Sequence, residues 1–236
     1  MFAKKLMSAS AVVGGGISSV DWRDSGFDNT SRTTYTFSNM DIGTADDNRY
    51  VVISASMSST NNVETPTSVT IGGVSAEEIY SYGDESTVVY PMSIAYWAAL
   101  VPTGTTADVV VTYSSSRYAA SLSVWSIVGM TSTTPYDTAS DVSSNQNLST
   151  TISRTTESVV IATTYVVDSY SSSTISGGNV TWGSDLTEQF DYDTRTKEWF
   201  SGADTNILSA GDDLTVSVTF DEIPDRSNIL VAVTLI

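Results

Sequence analysis

The sequence predicts an all-β protein of two similar antiparallel β-sandwich or jelly-roll units, preceded by an extended N-terminal arm. Three observations carry this expectation. Apolar residues recur with period two or in short runs between turn residues, and helical periodicity is nowhere sustained. Polar character comes mainly from Ser and Thr, in runs such as Ser114-Ser115-Ser116, which suit strand faces and turns better than long helices. The chain also carries one pattern twice. Residues 100–128 align without a gap onto 207–235, placing Gly104 on Gly211, Val111 on Val218, Thr112 on Thr219 and Tyr113 on Phe220, an offset of 211 − 104 = 107.

Upstream the match continues with small slips. Val51-Val52-Ile53 falls on Val159-Val160-Ile161, Val69-Thr70-Ile71-Gly72 on Val180-Thr181-Trp182-Gly183, and Glu78-Ile79-Tyr80-Ser81-Tyr82 on Glu188-Gln189-Phe190-Asp191-Tyr192. A repeat of roughly 100 residues is too long for a solenoid rung and is the size of a small domain. We therefore divide the chain into an arm (1–30), a first sandwich (31–130), a linker or crossing loop rich in Thr, Ser and Asp (131–146) and a second sandwich (147–236). Tandem sandwiches and two copies about a local pseudo-twofold both fit, and two similar sandwiches in close contact are expected.

Strands are expected near 34–39, 49–57, 68–71, 77–82, 93–101, 108–113 and 120–128. The second copy repeats them near 148–152, 158–166, 180–183, 188–193, 198–201, 214–220 and 228–235. The breaks carry turn chemistry, as at Gly72-Gly73, Gly83-Asp84 and Pro102-Thr103-Gly104. Val109, Val111 and Tyr113 share one face of their strand, and Val216, Val218 and Phe220 repeat it, which marks them as core. Leu122, Val124 and Val128, matched by Ile229, Val231 and Leu235, read as a central strand beside them. Trp97, Trp125 and Trp182 are expected in the core.

Composition narrows the chemistry. Of 236 residues, 10 are Lys or Arg and 27 are Asp or Glu, a formal net charge of −17 that repels nucleic acid phosphates and anionic membranes. Neither nucleic acid nor a membrane is expected as a partner. No apolar stretch approaches the roughly 20 residues needed to span a bilayer. The absence of Cys removes disulfides and thiolate chemistry, and the absence of His removes the usual general base. Ser-His and Cys-His relays are excluded outright, leaving carboxylate, Lys or Tyr chemistry, and the chain is not expected to be an enzyme. A carboxylate glycosidase would need two opposed acids, and no pair is marked among the 27.

Acidic clusters invite a calcium reading: Asp46-Asp47, Asp191 with Asp193, Asp212-Asp213, and Asp221-Glu222 with Asp225. None has EF-hand spacing, and solvated loop carboxylates explain them, so no cofactor is expected. Gly72-Gly73 and Gly14-Gly15-Gly16 lack the following helix of a phosphate loop. Among the aromatics, Tyr82, Tyr192 and Trp199 lie in polar surroundings and are candidates for exposed platforms that stack on a glycan.

The N-terminal arm is the most suggestive unrepeated part. Phe2, Leu6, Met7, Val12 and Val13 precede the glycine hinge, and Trp22 and Phe27 follow it. Its apolar run is short and broken by serines, so it reads as a mature arm rather than a secretory leader. An arm this apolar is expected to dock on a neighbouring chain or on its own sandwich.

The stretches Ser68-Val69-Thr70-Ile71-Gly72-Gly73-Val74 and Ala98-Ala99-Leu100-Val101-Pro102-Thr103-Gly104-Thr105-Thr106-Ala107-Asp108-Val109-Val110-Val111-Thr112 resemble a jelly-roll-like β-sandwich family of structural proteins in tailed-bacteriophage virions and prophage regions. The likeness covers about residues 34–236. It implies a particle component, such as a capsid decoration or cement protein, a fibre or a tail accessory protein, and brings no catalytic residues. The expected protein is thus a noncatalytic virion component on the particle's outer surface, anchored by its arm to capsid or tail proteins and to copies of itself. The alternative is a carbohydrate-binding or host-adhesion module.

Overall fold

The computed structural model describes residues 16–58, 62–84, 91–144, 147–168, 180–195, 198–220 and 226–236. Among these there is no helix, and every sheet is antiparallel. The first half contains β1 (Ser19–Asp28), β2 (Arg32–Asp41), β3 (Arg49–Ser58), β4 (Ser68–Ile71), β5 (Val74–Ser75), β6 (Glu77–Asp84), β7 (Met92–Leu100), β8 (Thr106–Arg117) and β9 (Ala119–Val128). The second contains β10 (Asp137–Ser143), β11 (Asn147–Ile152), β12 (Val159–Asp168), β13 (Val180–Trp182), β14 (Thr187–Arg195), β15 (Glu198–Asp204), β16 (Leu214–Phe220) and β17 (Arg226–Leu235).

Each half is a sandwich with an outer and an inner sheet. In the first half β2-β8-β4-β5 packs on β1-β9-β3-β7-β6. In the second β11-β16-β13 packs on β10-β17-β12-β15-β14, so equivalent strands stand in the same order. The two inner sheets then pack on each other through a third apolar cluster containing Val52, Ile94, Trp125, Ile161, Phe200 and Val231. The result is four layers in which both inner sheets are covered on both sides.

This layering explains the patterns along the strands. β8 and β16 alternate buried and exposed residues because one face meets water. β3 and β9 are buried almost throughout: Val51, Ile53, Ala55 and Met57 fill the first sandwich, while Val52 and the intervening serines face the second. Trp97, Trp125 and Trp182 are buried as expected.

Besides the two-residue β5 just after the Gly72-Gly73 turn, two strands lie where the sequence suggested none. β1 falls within the expected arm and pairs with β9; β10 falls within the expected linker and pairs with β17. Both are edge strands of mostly small and polar residues, so pairing to a neighbour rather than their own periodicity makes them strands.

The gapless alignment also slips at its end. Val111 and Val218 face their own cores, and so do Leu122 and Leu230, but the first pair is 107 apart and the second 108. Ile229, Val231 and Leu235 therefore point between the sandwiches, whereas Leu122 and Val124 point into the first core. A shift of one residue in a strand exchanges its faces.

Candidate functional site

The seam between the inner sheets holds a concentration of buried polar groups. The match of Val51 to Val159 is one residue short: Val51 and Val160 face their own cores while Val159 faces the seam, and counting from Val51 and Val160, Ser54 and Thr163 occupy equivalent places. Their hydroxyls meet each other at 3.0 Å. Equivalent residues that touch mark a local twofold, and the strands agree: β1 lies on β14, and its counterpart β10 lies on β6. The reversed order of the facing sheets sets this axis along the strands, so equivalent strand ends share one pole.

Tyr96 extends the Ser54–Thr163 contact. Its hydroxyl lies 2.8 Å from Thr163 Oγ1 and 3.1 Å from the Val231 carbonyl, and burial raises its pKa above the ordinary tyrosine value. At the far pole Ser58 and Tyr165 donate to the two oxygens of the buried Glu198, at 2.9 and 2.7 Å. Nearer the opposite pole, Asp204 accepts from Trp125 Nε1 and from Gln189 Nε2 at 2.9 and 3.0 Å. Desolvation pushes its carboxyl up to about 6, with a smaller contribution from the charge of Asp21.

Aromatic rings fill the space between these contacts. Phe190 packs at 5.1–6.0 Å from Trp22, Trp125, Tyr192 and Phe200. Gly202 makes room for it, since a Cβ there would overlap the Phe190 ring. On the opposite sheet the seam face of β3 and β9 carries the small buried side chains Ser54, Ser56, Ser121 and Ser123.

The sequence-predicted aromatics belong to this seam. Tyr82 and Tyr192 are twofold counterparts and make reciprocal contacts: Tyr82 with Ser140 of β10, Tyr192 with Ser25 of β1. The Tyr192 hydroxyl also donates to the carbonyls of Gly26 and Leu122, at 3.1 and 3.4 Å. Trp199, expected to be exposed, is only 3% accessible, because β15 turns that face into the second core. Its polar neighbours are themselves buried: Glu198 faces the seam, and Ser201 shares the Trp199 face and accepts from Trp182 Nε1.

Of the arm residues, Phe2, Leu6, Met7, Val12 and Val13 lie outside the described residues. Trp22 and Phe27 belong to β1 rather than to a free arm: Trp22 stacks on Phe190 across the seam at 5.9 Å, and Phe27 is half-buried opposite Ser121. Among the described residues no three carboxylates converge as they would around an ion. Asp221, Glu222 and Asp225 lie outside them, as does the Asp193 side chain.

A second feature was not singled out from sequence. At the pole where the described chain begins, Ser18 N and Oγ donate to the Val128 carbonyl at 2.8 and 3.2 Å, and Thr131 N and Oγ1 donate to the Ile236 carbonyl at 2.8 and 3.3 Å. These are twofold-related contacts, and Gly16 and Gly129 abut between them: a Cβ on Gly129 would sit 2.6 Å from the Gly16 carbonyl oxygen. Leu100 and Ile207 flank this point as counterparts, and both are exposed, at 42% and 38%. Val101 N to Arg49 O and Leu208 N to Ser158 O are the equivalent backbone bonds beside them. Beside Leu100, a groove of about 400 Å³ is lined by Tyr50, Val74, Glu77 and Thr131 to Thr133. The gapless alignment does place Leu100 on Ile207, and an apolar pair preserved just before a turn glycine is the signal that marks this pole.

Geometrically, the seam can hold two sandwiches in one orientation, and the pole can present apolar side chains to a partner. No protein-family model, curated protein or solved structure matches the chain.

Proposed function

We propose that the protein is a noncatalytic structural component of a tailed-bacteriophage virion, carried on the outer surface as a decoration, cement or other exterior part and attached through its N-terminal arm. The observation that carries this reading is the seam. Buried carboxylates, tyrosines and hydroxyls bind sandwich to sandwich there, so polar chemistry is used for cohesion in a four-layer block. The resemblance of the 68–74 and 98–112 stretches supports the particle context. The charge of −17 suits an outer surface and repels packaged nucleic acid. A glycan-binding role draws less support, because Trp199 is buried and Tyr82 and Tyr192 are engaged across the seam.

The test is removal of residues 1–15. Truncation must stop there, since Ile17 is buried and β1 begins at Ser19. The truncated chain is expected to keep its β circular dichroism and melting temperature and to disappear from purified particles, as quantified by mass spectrometry. Incorporation at the full-length copy number would overturn anchoring by the arm. Absence of the full-length chain from particles would overturn the whole reading.

A further inference from the structure

The exposed apolar side chains are not spread evenly over the block. Among the described residues the large exposed hydrophobics are Val74, Leu100, Tyr118, Tyr136 and Ile207. Leu100 ends β7, Ile207 adjoins the Ser158–Leu208 bridge, Tyr136 bonds to Thr234 near the end of β17, and Val74 lines the groove beside Leu100. These four share the pole at which Gly16, Gly129 and Ile236 meet. Tyr118 stands at the opposite pole, in the turn between β8 and β9. Clustered apolar exposure is the mark of an interaction surface, whereas single exposed residues are ordinary.

We propose that this pole is a docking face for a protein partner whose surface carries an apolar patch rimmed by Lys and Arg. The proposal rests on the virion reading and specifies which end of the block meets the particle. Charge selects the occupant. The exposed acids Asp46, Asp47, Glu77 and Glu157 border the face, with Arg154 bound to the Asp212 carbonyl beside them. An acidic border favours a basic rim and disfavours a second copy of a chain with net charge −17. Leu100 and Ile207, one from each sandwich, give two contact points on either side of the Gly16–Gly129 contact. Engaging both fixes the rotation of the block about its axis.

The experiment uses the full-length chain added back to purified particles assembled from a genome lacking it. Wild-type protein is expected to bind, more weakly as salt rises. The Leu100→Ser/Ile207→Ser double variant, altered only at exposed positions, is expected to keep the wild-type melting temperature and to bind at least tenfold more weakly. Tyr118→Ser, at the opposite pole, is expected to bind as wild type. Wild-type affinity in the double variant overturns the docking face and leaves arm anchoring intact. A wild-type dimer in solution that the double variant abolishes shows that the face binds a second copy and also overturns the proposal. Failure of the wild-type chain to bind at all overturns the virion reading on which it rests.

Discussion

The indole nitrogen of Trp125 in the first sandwich donates a 2.9 Å hydrogen bond to Oδ2 of Asp204 in the second, joining a fully buried ring to a buried carboxylate across the seam. The partners of Asp204 are neutral donors, so its ionised form bears a desolvation cost that no adjacent cation offsets.

That cost sets a pH dependence. The carboxyl is raised from 3.8 to about 6 in the folded protein. Below 3.8 both states are protonated and the group contributes nothing. Between 3.8 and 6 the folded state binds the proton more tightly than the unfolded one, so stability falls as pH rises through this window. Above 6 the full cost applies, at most about 3 kcal/mol from two pKa units. Asp204→Asn is expected to stabilise the protein by about 1–3 kcal/mol at pH 7 and hardly at all at pH 4. The Asn carbonyl accepts from Trp125, and a flipped Gln189 amide accepts from the new NH₂. Urea unfolding of both proteins across pH 4–8 checks this; parallel curves would show that Asp204 is not the titrating group.

Gly202 and Phe190 form a size-matched pair in the same seam. Gly202→Ala forces the ring to move in a packed layer, where overpacking costs about 1–3 kcal/mol. Phe190→Leu in the Gly202→Ala background should recover part of that loss while being destabilising alone. A double-mutant cycle by denaturant unfolding reads the coupling, and additive effects would show that ring and glycine do not share the space.

The seam residues show how far the sequence reaches. Alternation exposes Val111 and Val218 as core because the outer sheets meet water on one face, and there inside and outside differ in polarity. The inner sheets lack that contrast. Ser54, Ser56, Ser121 and Ser123 alternate with apolar core residues, yet they too are buried, beneath the opposing sheet. The same loss of contrast hid the one-residue slip that turns Ile229 and Val231 toward the seam. β1 and β10 escaped notice because edge pairing needs little of its side chains, and Trp199 was misplaced because its polar neighbours Glu198 and Ser201 are themselves buried. What was legible of the seam is the match of Tyr82 to Tyr192, for equivalent residues in the two halves perform equivalent tasks.

That equivalence is itself testable. Tyr192→Phe removes a hydroxyl that bridges the sandwiches, at a cost of about 0.5–1.5 kcal/mol, and Tyr82→Phe removes one that faces Ser140 across them. Tyr192→Phe should cost more, since its hydroxyl also serves the Gly26 and Leu122 carbonyls. The two contacts stand on opposite margins of the seam, so the double variant should lose the sum within about 0.5 kcal/mol. Strong non-additivity in thermal or urea unfolding would mean that the two margins open together.

Arg49 poses the sharpest test of cohesion within one sandwich. Its side chain is fully buried at the start of β3 and donates to four carbonyls: Val101 and Gly43 at 2.9 and 2.7 Å, Thr103 and Gly104 at 2.9 and 3.0 Å. These acceptors lie in loops flanking β2 and β7, so one guanidinium ties together the turns beside Leu100. Arg49→Met keeps much of the volume and leaves the carbonyls without this donor, an expected loss of about 3–5 kcal/mol. Arg49→Lys should recover less than half of it, because an ammonium cannot reproduce the planar fork that reaches acceptors in several directions. Hydrogen exchange on the Val101 and Ile42 amides, which bond to the Arg49 and Thr105 carbonyls, separates the outcomes: the loops should lose protection in both variants while β16 and β17 keep theirs. Uniform loss over both sandwiches would show that Arg49 governs global rather than local stability.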